Sequence, residues 1–281
     1  MIAISLFLAT CFAHAEQPKI DQLTLVVGFA PGGTSTIAAR HIAGAINQQT
    51  GTDVIVMSHE GAGGALAAQS VLEQNNSHVL LFFSSTSALR VKPDIGLVPV
   101  ALIATFPYVV VANKNAPSTL DAYFDAARHN DKLRSYTSPG TGSFPHLAGE
   151  RLFREHGIKG VHVPFTGSSP AAQSVYAGHV QLGIVPYIDY VPLKDGLHEF
   201  VGAEKSLGID GWIGIYAPPS TTPAEIARYA SMFKSATEAS ADKLALSGFK
   251  AQWGAGIELQ KLHKQSYEEW KPELDRLGTK F

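Results

Sequence analysis

Three short segments carry the residue types that hold small anions, each beside an apolar run. They are Phe29-Ala30-Pro31-Gly32-Gly33-Thr34-Ser35, Ser84-Ser85-Thr86-Ser87 and Thr137-Ser138-Pro139-Gly140-Thr141-Gly142-Ser143. Small residues let backbone N–H groups approach a ligand, hydroxyls add donors, and a helix N-terminus adds partial positive charge. The first segment is one residue away from a nucleotide-binding P-loop. Gly28, Gly33 and Ser35 fit that pattern, but Thr34 stands where lysine is required. Neither lysine nor arginine occurs in any of the three. A triphosphate carries several charges and recruits lysine and Mg²⁺. A carboxylate carries one charge, and amides with hydroxyls satisfy it at roughly 1.5–3 kcal/mol per charge-assisted bond. The segments therefore point to a small carboxylate rather than a nucleotide. Taken singly, each is also an ordinary strand–helix turn, with glycine for conformation and serine or threonine as a cap. Two similar segments in separate halves of the chain weigh against that plainer account.

Other chemistry-bearing residues are sparser. His146 and Glu150 are four apart on one predicted helix face, the spacing of a metal pair, but no second ligand pair accompanies them. A capping or core role fits His146 and Glu150 better, and His162, between Val161 and Val163, reads as a strand histidine. Gly61-Ala62-Gly63-Gly64 lacks the third glycine of a dinucleotide fingerprint and reads as a tight turn before a helix. Tyr108, Phe144, Tyr187 and Trp212 could line a cleft, though aromatics are more often core. A hydrolase would have to use Ser143 or Ser35 with His146, without a recognisable triad spacing. No cofactor or metal is expected.

These segments are positioned by an alternation of strands and helices. Strands are predicted at 23–27, 53–57, 79–83, 108–112, 134–137, 161–163, 182–185 and 212–217. Helices are predicted at 35–49, 65–74, 120–128, 144–156 and 171–177. Each anion segment falls at the carboxyl end of a strand, where open α/β sheets bind ligands. Thr222-Pro223-Ala224-Glu225 is a capping box with proline at the first helical position. A helical region is expected from there to about Leu246, and another from about Ile257 to Leu277. The pattern means α/β, with mainly parallel sheets flanked by helices, arranged as two lobes with a cleft between them.

The 281 residues suffice for two modest domains, and a formal net charge of −2 gives no reason to expect nucleic acid or an anionic membrane. The first fifteen residues, MIAISLFLATCFAHA, hold an apolar stretch too short to span a bilayer, followed by a small-x-small site at Ala13-His14-Ala15. They read as a secretory signal peptide, cleaved before Glu16, although no basic residue precedes the apolar stretch. The single cysteine, Cys11, lies inside it, and Thr10 is a poor residue for a lipoprotein box. An exported mature chain without cysteine suits the periplasm. The expected division is residues 1–15 leader, 16–106 with 217–281 lobe 1, and 107–216 lobe 2.

Six stretches together resemble one family: "VVGFAPGGTSTIAAR", "GAGGALAAQSV", "PVALIATFPYVVVAN", "YTSPGTGSFPHLAGE", "HVPFTGSSPAAQSVYAGHVQLGIV" and "WIGIYAPPSTTPAEI". The chain is similar to the periplasmic solute-binding receptors of tripartite tricarboxylate transporters, the Bug receptors. The resemblance implies a two-lobed, Venus-flytrap binding protein, not an enzyme, that captures a small organic acid and delivers it to membrane transporter subunits. An alternative partner is a signalling protein. It implies a monomer and a carboxylate held by Phe29, Ala30, Pro31, Gly32, Gly33, Thr34 and Ser35 from lobe 1. From lobe 2 it implies Ser138, Gly140, Thr141, Gly142, Ser143 and His146, with Ser84, Ser85 and Thr86 also facing the cleft. The chain departs from the family at Thr36, usually aspartate, at Val185-Pro186, commonly an acid and asparagine, and at Phe165-Thr166, usually tyrosine–lysine. It is also shorter between Arg90 and Pro99 and between Phe200 and Trp212.

Overall fold

The structure, a computed structural model, describes residues 20–203 and 210–278. The expected signal peptide, its cleavage site and Cys11 lie outside these residues.

The chain begins with β1 (Gln22–Val27), α1 (Thr34–Thr50), β2 (Asp53–Ser58), α2 (Ala65–Gln74), β3 (Val79–Ser84) and β4 (Val98–Phe106). A second group follows: β5 (Tyr108–Asn113), α3 (Leu120–His129), β6 (Ser135–Ser138), α4 (Phe144–Glu155), β7 (Val161–Pro164), α5 (Ser168–Tyr176), β8 (Leu182–Pro186), α6 (Tyr187–Tyr190) and β9 (Leu197–Glu199). The chain then returns through β10 (Gly211–Ala217), α7 (Pro223–Ala239), α8 (Ala241–Leu246), β11 (Lys250–Ala255) and α9 (Gly256–Arg276). The first sheet has the order β11-β4-β10-β3-β1-β2, the second β7-β6-β8-β5-β9.

Alternation alone predicts mainly parallel sheets, and each sheet is mixed instead. β1 pairs parallel with β2 and β3, whereas β10 runs antiparallel to β3 and β4. In the second sheet β6 pairs parallel with β7 and β8, and β5 antiparallel with β8 and β9. The cause is the exchange of chain between lobes: a strand that arrives from the other lobe need not follow a right-handed crossover. All of β10, Gly211–Ala217, pairs in the first sheet, so the sheet places the return to lobe 1 at Gly211 and not at residue 217. β4, β9 and β11 have no counterpart among the predicted strands, and the helical region expected to reach Leu246 is interrupted at Ser240.

Local chemistry sets the element ends. The side chain of Thr222 accepts a hydrogen bond from the Glu225 N–H, and Glu225 accepts from the Thr222 N–H, so the capping box closes with Pro223 in the first turn. α1 ends at Gly51, whose left-handed φ of 69° lets its N–H reach the Asn47 carbonyl. β3, β5, β8 and β10 are buried along their whole length, which explains their unbroken apolar runs.

Pro107 alone separates β4 in the first sheet from β5 in the second. The core is continuous across this point. Phe106 and Tyr108 rings lie 5.3 Å apart, Tyr108 and Phe144 5.0 Å, and Phe144 and Trp270 4.9 Å. α9 therefore joins lobe 1 to α4 of lobe 2. At the rim of that contact Arg154 makes two 2.7 Å bonds to Glu273.

Candidate functional site

The first and third segments meet where the lobes face each other, and the second packs against the turn at Gly64 through Ser87. In the first, Gly33 N–H and Thr36 Oγ1 both donate to the Ala30 carbonyl, at 3.3 and 3.2 Å. Thr36, at a position where aspartate is usual, thus pins the loop that precedes α1. In the second, the Ser84 side chain accepts from the Thr86 N–H, Ser85 Oγ accepts from the Trp212 N–H at 3.0 Å, and Thr86 Oγ1 lies 2.7 Å from Tyr108 Oη. All three hydroxyls are buried. In the third, Ser138 and Ser143 both donate to the Gly140 carbonyl, at 3.0 and 2.6 Å, and Gly142 N–H donates to His146 Nδ1 at 2.9 Å. Most of these hydroxyls therefore hold their own loops in shape.

A cavity of about 220 Å³ lies between the lobes. Gly28, Phe29 and the turn Gly61–Gly64 form one wall, Pro139, Gly140, Thr141, Phe165 and Thr166 the other. Among the described residues lining it, the charged one is Arg90. Its Nε donates to the Ala62 carbonyl at 3.1 Å, and burial lowers the guanidinium pKa from its usual value. A larger groove, about 980 Å³, runs along α9 past Pro93 and Asp94. It is lined by lysines and glutamates, of which Lys264 and Glu268 pair at 3.7 Å, and by no residue of the three segments. Walls drawn from both lobes and a charged side chain make the smaller cavity the candidate site.

Of the sixteen site residues expected from sequence, Phe29, Gly140 and Thr141 line this cavity. Gly64, which follows the turn residue Gly63 (φ 62°), comes so close to Gly28 that a Cβ on Gly28 would lie 2.7 Å from its Cα. The tight turn expected at 61–64 is thus also a wall. Gly32 is exposed, a Cβ there would meet nothing within 4 Å, and it is not among the residues that line the cavity. Thr34 turns to a different contact: its Oγ1 donates at 2.6 Å to Asp189, which also accepts from Ser169. Burial raises the Asp189 carboxyl pKa, and hydrogen bonds from Ser169, Thr34 and Ser168 oppose the shift. Burial likewise pushes Tyr108 up to about 12.

His146 stacks on His162 with ring centroids 3.7 Å apart. Burial, then the Arg90 charge, lowers the His146 pKa to about 4, and burial, then His146, lowers that of His162 to about 3. Both rings are neutral at pH 7. His162 Nε2 is 2.7 Å from Ser138 Oγ, and Glu150 accepts from Tyr136. His146 and Glu150 are thus occupied by different partners, and among the described residues no three His, Cys, Asp or Glu side chains cluster as a metal site. Of the two serines considered for hydrolysis, Ser143 is bonded elsewhere than to His146: its Oγ donates to the Gly140 carbonyl, and His146 Nδ1 accepts from the Gly142 N–H.

A cleft walled by two α/β lobes, with strand ends and helix N-termini converging on it, is the geometry of a binding protein. Residues 38–196 match the profile of the tripartite tricarboxylate transporter family receptor. The chain belongs to this family. It is 28% identical, over 89% of its own length and 84% of the relative's, to the UPF0065 protein of the tcbD-tcbE intergenic region of Pseudomonas sp. (strain P51). The receptor fold is similar to that of R. palustris Rpa4515 with adipate, at TM-score 0.82 and 21% identity, covering 92% of this chain and 97% of the other. It is also similar to MatC from Rhodopseudomonas palustris with bound malate, at TM-score 0.79 and 23% identity, covering 90% and 98%. The receptor thus has the two-lobed fold of periplasmic binding proteins. Arg90 and Asp189 were not among the residues expected at the site. Arg90 lies just beyond the second of the three loops, outside the glycine and hydroxyl pattern that marks them. Phe165 and Thr166, noted only as departures from the family pattern, are cavity wall.

Proposed function

We propose that this receptor captures a small organic carboxylate in the cavity between its lobes and delivers it, in the periplasm, to a membrane transporter. The observation that carries this reading is Arg90 in a cavity whose walls come from both lobes. A guanidinium beside close-approaching backbone supplies the countercharge that the three loops lack. A volume of about 220 Å³, below the roughly 300–1,000 Å³ of drug-sized sites, suits a short organic acid. Two proteins of the same fold hold adipate and malate, which supports a carboxylate as the class. Walls from both lobes make closure around the ligand the natural mechanism.

Mass spectrometry of small molecules released from freshly purified chain should find an organic acid. A thermal-shift panel should show stabilisation by carboxylates, because a ligand that binds only the native state raises apparent stability. Arg90→Gln should weaken the best acid at least tenfold, about 1.4 kcal/mol or more. Stabilisation by ATP–Mg²⁺ and by no acid would sink the proposal.

A further inference from the structure

One buried carboxyl group already lies on the seam between the lobes, and the chain supplies it. Asp189, on α6 of lobe 2, is only 6% exposed. It accepts a 2.6 Å hydrogen bond from Thr34 Oγ1 of lobe 1 and another from Ser169 Oγ of lobe 2. Ser168 Oγ lies 3.4 Å from Thr34 Oγ1, closing the cluster across the seam. Thr34 opens α1, and Ser168 and Ser169 open α5. The N-cap residues of both helices, Gly33 and Gly167, supply no side-chain cap. Two helix N-termini, one from each lobe, thus converge with three hydroxyls on a single buried anion.

The same two loops line the cavity. Gly28 and Phe29 begin the loop that ends at Thr34, and Phe165 and Thr166 begin the one that ends at Ser168. Between these ends the loops touch: a Cβ on Gly167 would lie 3.8 Å from that of Ala30. The seam between the lobes therefore has an open part, the cavity with Arg90, and a closed part that holds Asp189.

We propose that Asp189 is a built-in carboxylate ligand: it fills the end of the cleft that would otherwise take a second carboxylate, ties the lobes together, and restricts the receptor to acids with one carboxylate. The inference rests on the receptor function proposed above. A dicarboxylate whose far group reached for these two helix N-termini would meet Asp189 already there, where like charges repel in a partly desolvated setting. A monocarboxylate meets no such charge.

The test uses the full mature chain, Asp189→Ser, and Asp189→Asn as the variant that keeps the volume and removes the charge. Calorimetric titration compares hexanoate with adipate and butyrate with succinate. The wild type should favour the monocarboxylate of each pair by at least tenfold. Asp189→Ser should shift that ratio at least tenfold toward the dicarboxylate, and Asp189→Asn should shift it in the same direction by less. Ratios that stay within twofold of wild type in both variants overturn the selectivity. Solution scattering without any acid reads the tie between lobes: Asp189→Ser should have a larger radius of gyration than wild type. Equal radii overturn the tie. If Asp189→Ser does not melt cooperatively, Asp189→Asn carries both measurements. If no acid binds wild type or variants, the receptor function fails, while the scattering comparison still decides whether Asp189 holds the lobes together.

Discussion

At Gly28 an added methyl group would stand 2.7 Å from the Gly64 Cα, a backbone atom that cannot swing aside. Gly28→Ala should therefore separate the two loops of lobe 1 and lower the melting temperature, measurable by circular dichroism; an unchanged melt would mean that the loops do not touch in solution. Gly140 and Gly32 look equivalent in sequence, each the glycine after a proline in an anion segment, yet they differ in surroundings. Gly140 has φ 150° and its Cβ would face Gly63 across the cavity at 3.4 Å, whereas a Cβ on Gly32 would meet nothing. Gly140→Val should abolish acid binding in titration calorimetry while the chain still folds. Gly32→Val should leave the dissociation constant within about threefold, with some stability lost because its φ of 89° suits glycine. Equal losses from both substitutions would put the ligand elsewhere.

At the scale of elements, the caps and the buried histidines carry the energetics. Thr222→Ala removes the N-cap of the seventeen-residue α7 and should cost about 1 kcal/mol in urea unfolding; no change in the midpoint would show that Pro223 alone fixes that end. His146, His162 and His263 have pKa values near 4, 3 and 4, held down chiefly by burial, against about 6.5 in an unfolded chain. The native state then binds fewer protons than the unfolded chain below about pH 6.5. Stability should be highest above that pH, fall as pH drops toward 3 to 4, and level off below, at about 1.4 kcal/mol per unit of separation for each ring. Urea midpoints from pH 7.5 to 4 read this directly, and His162→Phe should flatten part of the slope; a rise in stability on acidification would refute it. The alternation of apolar runs and helical stripes made most of these elements legible. Val98–Phe106 escaped because it merges with β5 across Pro107, and Lys250–Ala255 because its half-exposed, polar sequence does not advertise a strand. The loops at the cleft were legible from glycine and hydroxyl content. Arg90 and Asp189 were not, since only the packing of lobe on lobe brings distant side chains to one place.

At the scale of the molecule, one apolar cluster includes Leu25 and Ile42 of lobe 1 with Phe124, Phe153 and Ile184 of lobe 2. Heating should then give one calorimetric transition with matching calorimetric and van't Hoff enthalpies. Two resolved peaks would show that the lobes melt independently. Trp270→Ala removes a ring that is 1% exposed and packs edge-on against Phe144; it should cost about 3–5 kcal/mol and is the substitution best placed to split such a transition.

Lobe 1 is interrupted, and the interruption has a consequence in time. β4 ends at Phe106, yet both its sheet neighbours, β10 and β11, come after the whole of lobe 2. During synthesis the ribosome releases β1 to β4 with both flanks of β4 unpaired, then all of lobe 2, before the strands that complete the first sheet exist. Lobe 2 is contiguous and can assemble early; lobe 1 must wait for the last quarter of the message. Pairings so distant along the chain close slowly and leave a sheet edge open meanwhile. A polypeptide that cannot finish folding until it is nearly all made keeps an open sheet edge through most of its own synthesis.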